Sequence, residues 1–125
     1  MIDFSNVALN IREPVYIQLV LHVKKQIAKG TASSGDSLPS RRELAAMLEI
    51  NPNTVQKAYR LMEQEGFVVT EGNTGSVLNF DSHTLNLIRE ELTKGMVRDF
   101  ISNAKELNLS FKQTIDLVSD VWDEV

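Results

Sequence analysis

Two amides and two cations, Asn53, Gln56, Lys57 and Arg60, recur at steps of three, one and three, a spacing that sets them on one face of a helix. Those residue types in that pattern fit the edges of base pairs. Asn and Gln hydrogen-bond adenine bidentately, Lys and Arg reach guanine or a phosphate, and Thr54 offers a methyl group to thymine. A second pair of cations, Arg41 and Arg42, directly follows Ser40. The macrodipole disfavours cations at a helix start, and a nearby phosphate or base edge would offset that cost. The plainer alternatives are a solvated helix face for the first group and, for the second, exposed arginines beside a Ser40–Glu43 cap.

The surrounding chain supplies elements that would position these groups. Tyr16, Val20, Val23 and Ile27 have helical spacing, and Gly30 suits the position just past a helix end, so the pattern predicts a first helix over 14–30. Small and polar residues follow, with turn chemistry at Gly35-Asp36-Ser37. Ser40-Arg41-Arg42-Glu43 reads as a capping box opening a short helix with Leu44, Ala45 and Leu48 inward. Asn51 as cap and Pro52 in the first turn start a third helix running to Glu65, with Val55, Ala58, Tyr59 and Met62 as its buried stripe. Two short helices joined by a tight turn make a helix-turn-helix. The β-prone segments Phe67–Thr70 and Ser76–Phe80 flank Glu71-Gly72-Asn73-Thr74-Gly75 and predict a hairpin, the wing of a winged helix.

Beyond Ser82 the pattern is helical again. One long helix over roughly 84–107 carries Leu85, Ile88, Leu92, Met96, Phe100, Ala104 and Leu107 along one side. Asn108 closes it, Ser110-Phe111-Lys112-Gln113 forms a second capping box, and the last helix shows Phe111, Ile115, Val118, Trp122 and Val125 in alternating steps of four and three. Two helices cannot bury both stripes on each other, so the tail reads as a dimerisation element contributed by Leu85, Ile88, Leu92, Met96, Phe100, Phe111, Ile115, Val118 and Trp122. An effector pocket around Phe111 and Trp122 is the competing reading, and the heptad-like spacing favours a core between chains. The expected architecture is mainly α with a small β-hairpin: a winged helix-turn-helix over 1–80 and a two-helix dimerisation tail over 81–125.

Charge follows the same division. The 125-residue chain has a formal net charge of −4, an unpromising sum for a nucleic-acid binder. Residues 1–80 hold eight Lys/Arg against eight Asp/Glu, whereas 81–125 hold five against nine, so the acidic excess lies in the tail. The chain has no cysteine, which excludes disulfides and thiolate metal sites. Its start, Met1-Ile2-Asp3-Phe4, lacks the form of a signal peptide, and no apolar run is long enough to span a bilayer. A cytoplasmic protein without a cofactor is the expectation. His22 has no acid three or four residues away, and His83 beside Asp81 is a poor start for a metal site when the chain has two histidines in all. No phosphate loop or triad-like signature supports an enzyme.

Four segments read in order, Pro14-Val15-Tyr16-x-Gln18-Leu19, Gly35-x-x-Leu38-Pro39-Ser40-x-Arg42-x-Leu44-Ala45, Asn51-Pro52-Asn53-Thr54-Val55-x-Lys57-Ala58-Tyr59 and Glu65-Gly66-Phe67, resemble the GntR family over residues 14–78. The short helical tail is similar to the YtrA-type subgroup. The resemblance implies a bacterial repressor that binds operator DNA as a homodimer, often at transport or cell-envelope operons. It favours Arg42 over Arg41 as the functional arginine, with Arg41 a phosphate contact. Ser40, Asn51 and, on the wing, Gly75 complete the expected DNA-contacting set. One departure stands out: the family wing reads Thr-Arg-x-Gly-x-Gly-Thr, whereas Glu71 follows Thr70 here, Asn73 replaces the first Gly, and no Lys or Arg lies in the wing. The alternative from another class is a winged-helix protein-interaction module with an acidic docking tail. Such a module would expose apolar residues where Asn53–Arg60 is polar and basic.

Overall fold

The computed structural model describes residues 1–72 and 75–125. Helix α1 runs Val15–Lys29 and ends where Gly30 takes the left-handed conformation at φ 80°, its N–H closing on the carbonyls of Gln26 and Ile27. Helix α2, Arg41–Leu48, is capped by Ser40, whose hydroxyl accepts the Glu43 N–H at 3.1 Å. Only this half of the expected capping box forms among the described residues. Helix α3, Pro52–Gln64, starts as the sequence predicts, with the Asn51 side chain accepting the Asn53 N–H at 2.8 Å and Pro52 in the first turn. The turn between α2 and α3 passes through Glu49 at φ 55°, a left-handed conformation that a non-glycine residue adopts at a cost. Neither glycine nor asparagine stands at position 49 to mark that left-handed step in the sequence.

Strands β1, Val68–Glu71, and β2, Gly75–Leu78, pair antiparallel with Val68 opposite Leu78 and Thr70 opposite Ser76. Asn73 and Thr74, at the expected hairpin tip, lie outside the described residues. The loop before α2 adds a partner on the far side of β2. Ser37 bridges to Val77, the Leu38 N–H donates to Ser76 O at 2.9 Å, and the Leu78 N–H donates to Asp36 O at 2.8 Å. The N-terminal segment joins there through the Ile2 N–H to Ser37 O at 2.8 Å, burying Ile2 and Phe4. These pairings anchor the base of the wing, and neither is legible as periodicity.

The chain divides into two compact units, Met1–Arg89 and Glu90–Val125. In the first, Leu19, Val20, Val23 and Ile27 of α1, Leu44 and Ala45 of α2, and Val55, Ala58, Tyr59 and Met62 of α3 are buried together with Phe67, Val68 and Leu78. Tyr16, placed on the α1 stripe by spacing, and Leu48 of α2 are only half-buried. An ion pair ties α1 to the end of α3: Lys24, itself buried, donates to Glu65 at 2.8 Å.

Helix α4 spans Ser82–Glu106 and α5 spans Phe111–Val121, followed by a single 3-10 turn over Trp122–Glu124. Asp81 opens α4 by accepting the Thr84 N–H at 2.9 Å, and that bond holds its carboxyl below the usual carboxylate range. Asn108 takes the left-handed conformation at φ 61° beyond the end of α4, and both bonds of the Ser110–Gln113 capping box form. The last helix is shorter than the stripe predicts, since Trp122 falls in the 3-10 turn. Ile88 is buried within the first unit. In the second unit α5 buries no residue. Phe111 is 83% exposed, Leu107 74%, Trp122 73% and Met96 67%, and Phe100 and Ile115 are exposed as well. Leu85, Leu92 and Val118 are half-buried. Among the described residues no helix is long and apolar enough to cross a membrane.

Candidate nucleic-acid interface

Helix α3 divides its side chains cleanly. Val55, Ala58, Tyr59 and Met62 face the core, and the remaining positions turn Asn53, Lys57 and Arg60 outward, with Gln56 and Thr54 half-buried beside them. Amide, hydroxyl and cationic groups therefore share one surface. The Oδ1 of Asn51 is occupied by the cap bond to Asn53 N–H, which leaves its amide donors for an external acceptor.

The start of α2 separates its two arginines. Arg42 is exposed, as is Ser40. Arg41 instead lies half-buried, with its guanidinium 5.1 Å from the ring centroid of Tyr59 and 3.1 Å from Glu63 Oε1. Its Nε is buried without a hydrogen-bond partner. The same Glu63 oxygen accepts the Thr70 hydroxyl at 2.6 Å, and Thr70 shares a 2.8 Å bond with Ser76 across the hairpin. One carboxylate thus links α2, α3 and β1, a role for Glu63 that sequence reasoning missed, since Arg41 and Thr70 lie at no regular spacing from it. Tyr59 reaches across the same junction and donates its hydroxyl to Pro39 O at 2.5 Å. Burial pushes the phenol pKa above its usual range.

Lys57 is seated differently. Its ammonium lies 4.3 Å from the ring centroid of Tyr16, within the range of a cation–π contact. Tyr16 stands in the first turn of α1, where Gln18, buried, donates to Asn10 O and Glu13 O at 2.8 Å each and accepts the Asn10 N–H at 2.9 Å. This buckle binds the preceding segment to the helix start.

On the wing, Gly75 is exposed at φ 79°, a conformation suited to glycine. Glu71, also exposed, is the charged residue between Thr70 and Phe80.

Comparison with known proteins adds an independent line. The family model described as "Bacterial regulatory proteins, gntR family" matches residues 15–78, the span from the start of α1 to the end of β2. The HTH-type transcriptional repressor YtrA of Bacillus subtilis is 31% identical over 114 residues, covering 90% of this chain and 87% of that protein. Among solved structures, a GntR family transcriptional regulator from Listeria monocytogenes is 33% identical, covering 90% of this chain and 99% of its own, with a TM-score of 0.79. YtrA from Sulfolobus acidocaldarius, a GntR-family transcription factor, is 34% identical, covering 96% and 97%, with a TM-score of 0.55.

Proposed function

The chain belongs to the gntR family of bacterial regulatory proteins, DNA-binding regulators of transcription, and from that premise we propose that it is a repressor that binds a pseudo-palindromic operator as a homodimer in the cytoplasm. The observation that carries the reading is the two-sided character of α3. Its apolar stripe is wholly buried while Asn53, Lys57 and Arg60 remain exposed on the opposite side. A recognition helix needs that arrangement, because the groove reads side chains that the core has not claimed. A protein-docking face would be apolar at these positions, and this one is polar and basic.

In this reading Asn53, Thr54, Gln56, Lys57 and Arg60 face the major groove. Ser40, Arg42 and Asn51 contact the adjoining backbone or base edges, and Gly75 brings the wing close to a neighbouring phosphate. Arg41, held by Glu63 and Tyr59, braces the start of α2 instead of contacting DNA. The exposed apolar residues of α4 and α5 pair two copies, so that half-sites lie about one helical turn apart, roughly 10 bp, or a multiple of it. Repression is supported by the similarity to the Bacillus subtilis repressor.

Arg42→Ala and Lys57→Ala are each expected to weaken operator binding by about 1–3 kcal/mol if a base is contacted, without lowering the melting temperature. Binding to a series of single-base operator variants, selected first from random duplexes by the wild-type protein, is the measurement. A loss confined to one position marks base readout, and a uniform loss marks a phosphate. Unchanged binding by both variants would remove α3 and the start of α2 from the interface.

The wing makes a separate prediction. Phosphates repel Glu71, so Glu71→Arg is expected to strengthen binding to operator and scrambled duplex alike. The fall of log K with log salt should steepen by about 0.9 for each additional phosphate that the variant neutralises. Fluorescence anisotropy across a salt series reads both quantities, and an unchanged slope would mean that the wing stays away from DNA.

A further inference from the structure

We propose that Tyr16 is a positioning residue for DNA recognition: its ring seats Lys57 so that the ammonium reaches DNA ordered and with its charge intact. The inference rests on the placement of Lys57 at DNA and adds to it a residue outside the helix-turn-helix. Lys57 lies nearer to its ring than Arg41 and Lys24, which also pack on aromatic faces, lie to theirs: 4.3 Å against 5.1 Å and 5.9 Å. Those two are held by a carboxylate as well, Arg41 by Glu63 and Lys24 by Glu65. Among the described residues no carboxylate pairs with Lys57.

That difference decides what the two kinds of seat can do. A carboxylate orders a lysine by neutralising it, and an approaching phosphate must then compete with the ion pair. An aromatic face orders the same ammonium through its quadrupole and leaves the positive charge uncancelled. Lysine carries a long flexible stem whose rotamer freedom is lost when its head group binds. A seat that restricts the stem beforehand removes part of that loss. The seat itself is firmly placed, because Gln18 fastens residues 10 and 13 to the same turn of α1 that carries Tyr16. It also accounts for a half-buried tyrosine on a stripe whose later members, Val20, Val23 and Ile27, are fully buried.

The test is a double-mutant cycle on the full chain, read as affinity for the duplex that the wild-type protein selects from a random library. Tyr16→Phe keeps the ring and is expected to bind as the wild type does. Tyr16→Leu is expected to lose roughly three- to tenfold, the range for ordering one long flexible side chain at an interface, with thermal melting showing the fold intact. In a Lys57→Ala background Tyr16→Leu should cost nothing further. An equal loss from Tyr16→Leu in that background overturns the seat while leaving Lys57 at DNA. A loss from Tyr16→Phe matching that of Tyr16→Leu overturns it too, because the hydroxyl would then be the operative group. No loss from Lys57→Ala alone overturns the interface reading at Lys57 and the seat with it.

Discussion

Phe111→Glu is expected to convert a dimer into a monomer at micromolar concentration and to take operator affinity down with it. Phe111 is 83% exposed in the single chain although it stands at the first position of α5. Burying such a side chain is worth roughly 1.5–3 kcal/mol. A twofold axis makes each substitution count twice, so the loss is about 3–6 kcal/mol, or about 10²- to 10⁴-fold in the dissociation constant. The carboxylate adds desolvation and repulsion from its symmetry mate. The substitution is chosen to spare the helix, since an acidic side chain in the first turn complements the macrodipole. The capping box of Ser110 and Gln113 is untouched. Trp122→Lys, in the 3-10 turn just past the end of α5, obeys the same logic, a cation near a helix C-terminus. Sedimentation of wild type and variants gives the mass, and circular dichroism confirms the helices. A wild-type chain that sediments as a monomer at micromolar concentration, or a Phe111→Glu variant that still dimerises as tightly, would sink the proposed dimer.

How far the sequence could be read follows from which interactions are local. The α3 stripe of Val55, Ala58, Tyr59 and Met62 is a repeat within one helix, and the reading face follows from it by subtraction. The caps at Ser40, Asn51 and Ser110 are contacts over two or three residues, and each forms. The winged helix-turn-helix followed by two helices is therefore legible in the residue pattern alone. Contacts between distant residues leave no such trace. Ile2 and Phe4 close part of the core, and Ser37 extends the hairpin, through pairings across the fold. The fate of Arg41 is decided the same way, by Glu63 and Tyr59, 22 and 18 positions away. The family resemblance sets Arg42 ahead of Arg41 but still gives Arg41 a phosphate, whereas tertiary structure makes Arg41 a strut and leaves Arg42 exposed.

Tyr59→Ala is expected to abolish DNA binding at growth temperature by unfolding the first unit, not by removing a contact to DNA. Tyr59 is 1% exposed and joins three parts of the domain. Its ring lies in the core, its hydroxyl donates to Pro39 O, and the guanidinium of Arg41 rests on its face. Truncating a buried aromatic side chain to alanine costs about 3–5 kcal/mol through lost burial and the residual cavity. Here the Pro39 carbonyl also loses its donor, and Arg41, whose Nε already lacks a hydrogen-bond partner, loses its aromatic seat. Small domains have total stabilities of about 5–15 kcal/mol, so a loss of that size removes a large share. At roughly 4–8 °C per kcal/mol the melting temperature should drop by about 12 °C or more. Tyr59→Phe separates the causes: it keeps the ring and deletes the hydroxyl, and should cost about 1–3 kcal/mol for the unpaired carbonyl. Binding measured well below the new melting point should recover in Tyr59→Ala, whereas Lys57→Ala should melt normally and stay weak at every temperature. A Tyr59→Ala chain that melts like the wild type yet fails to bind would move Tyr59 from the core to the interface.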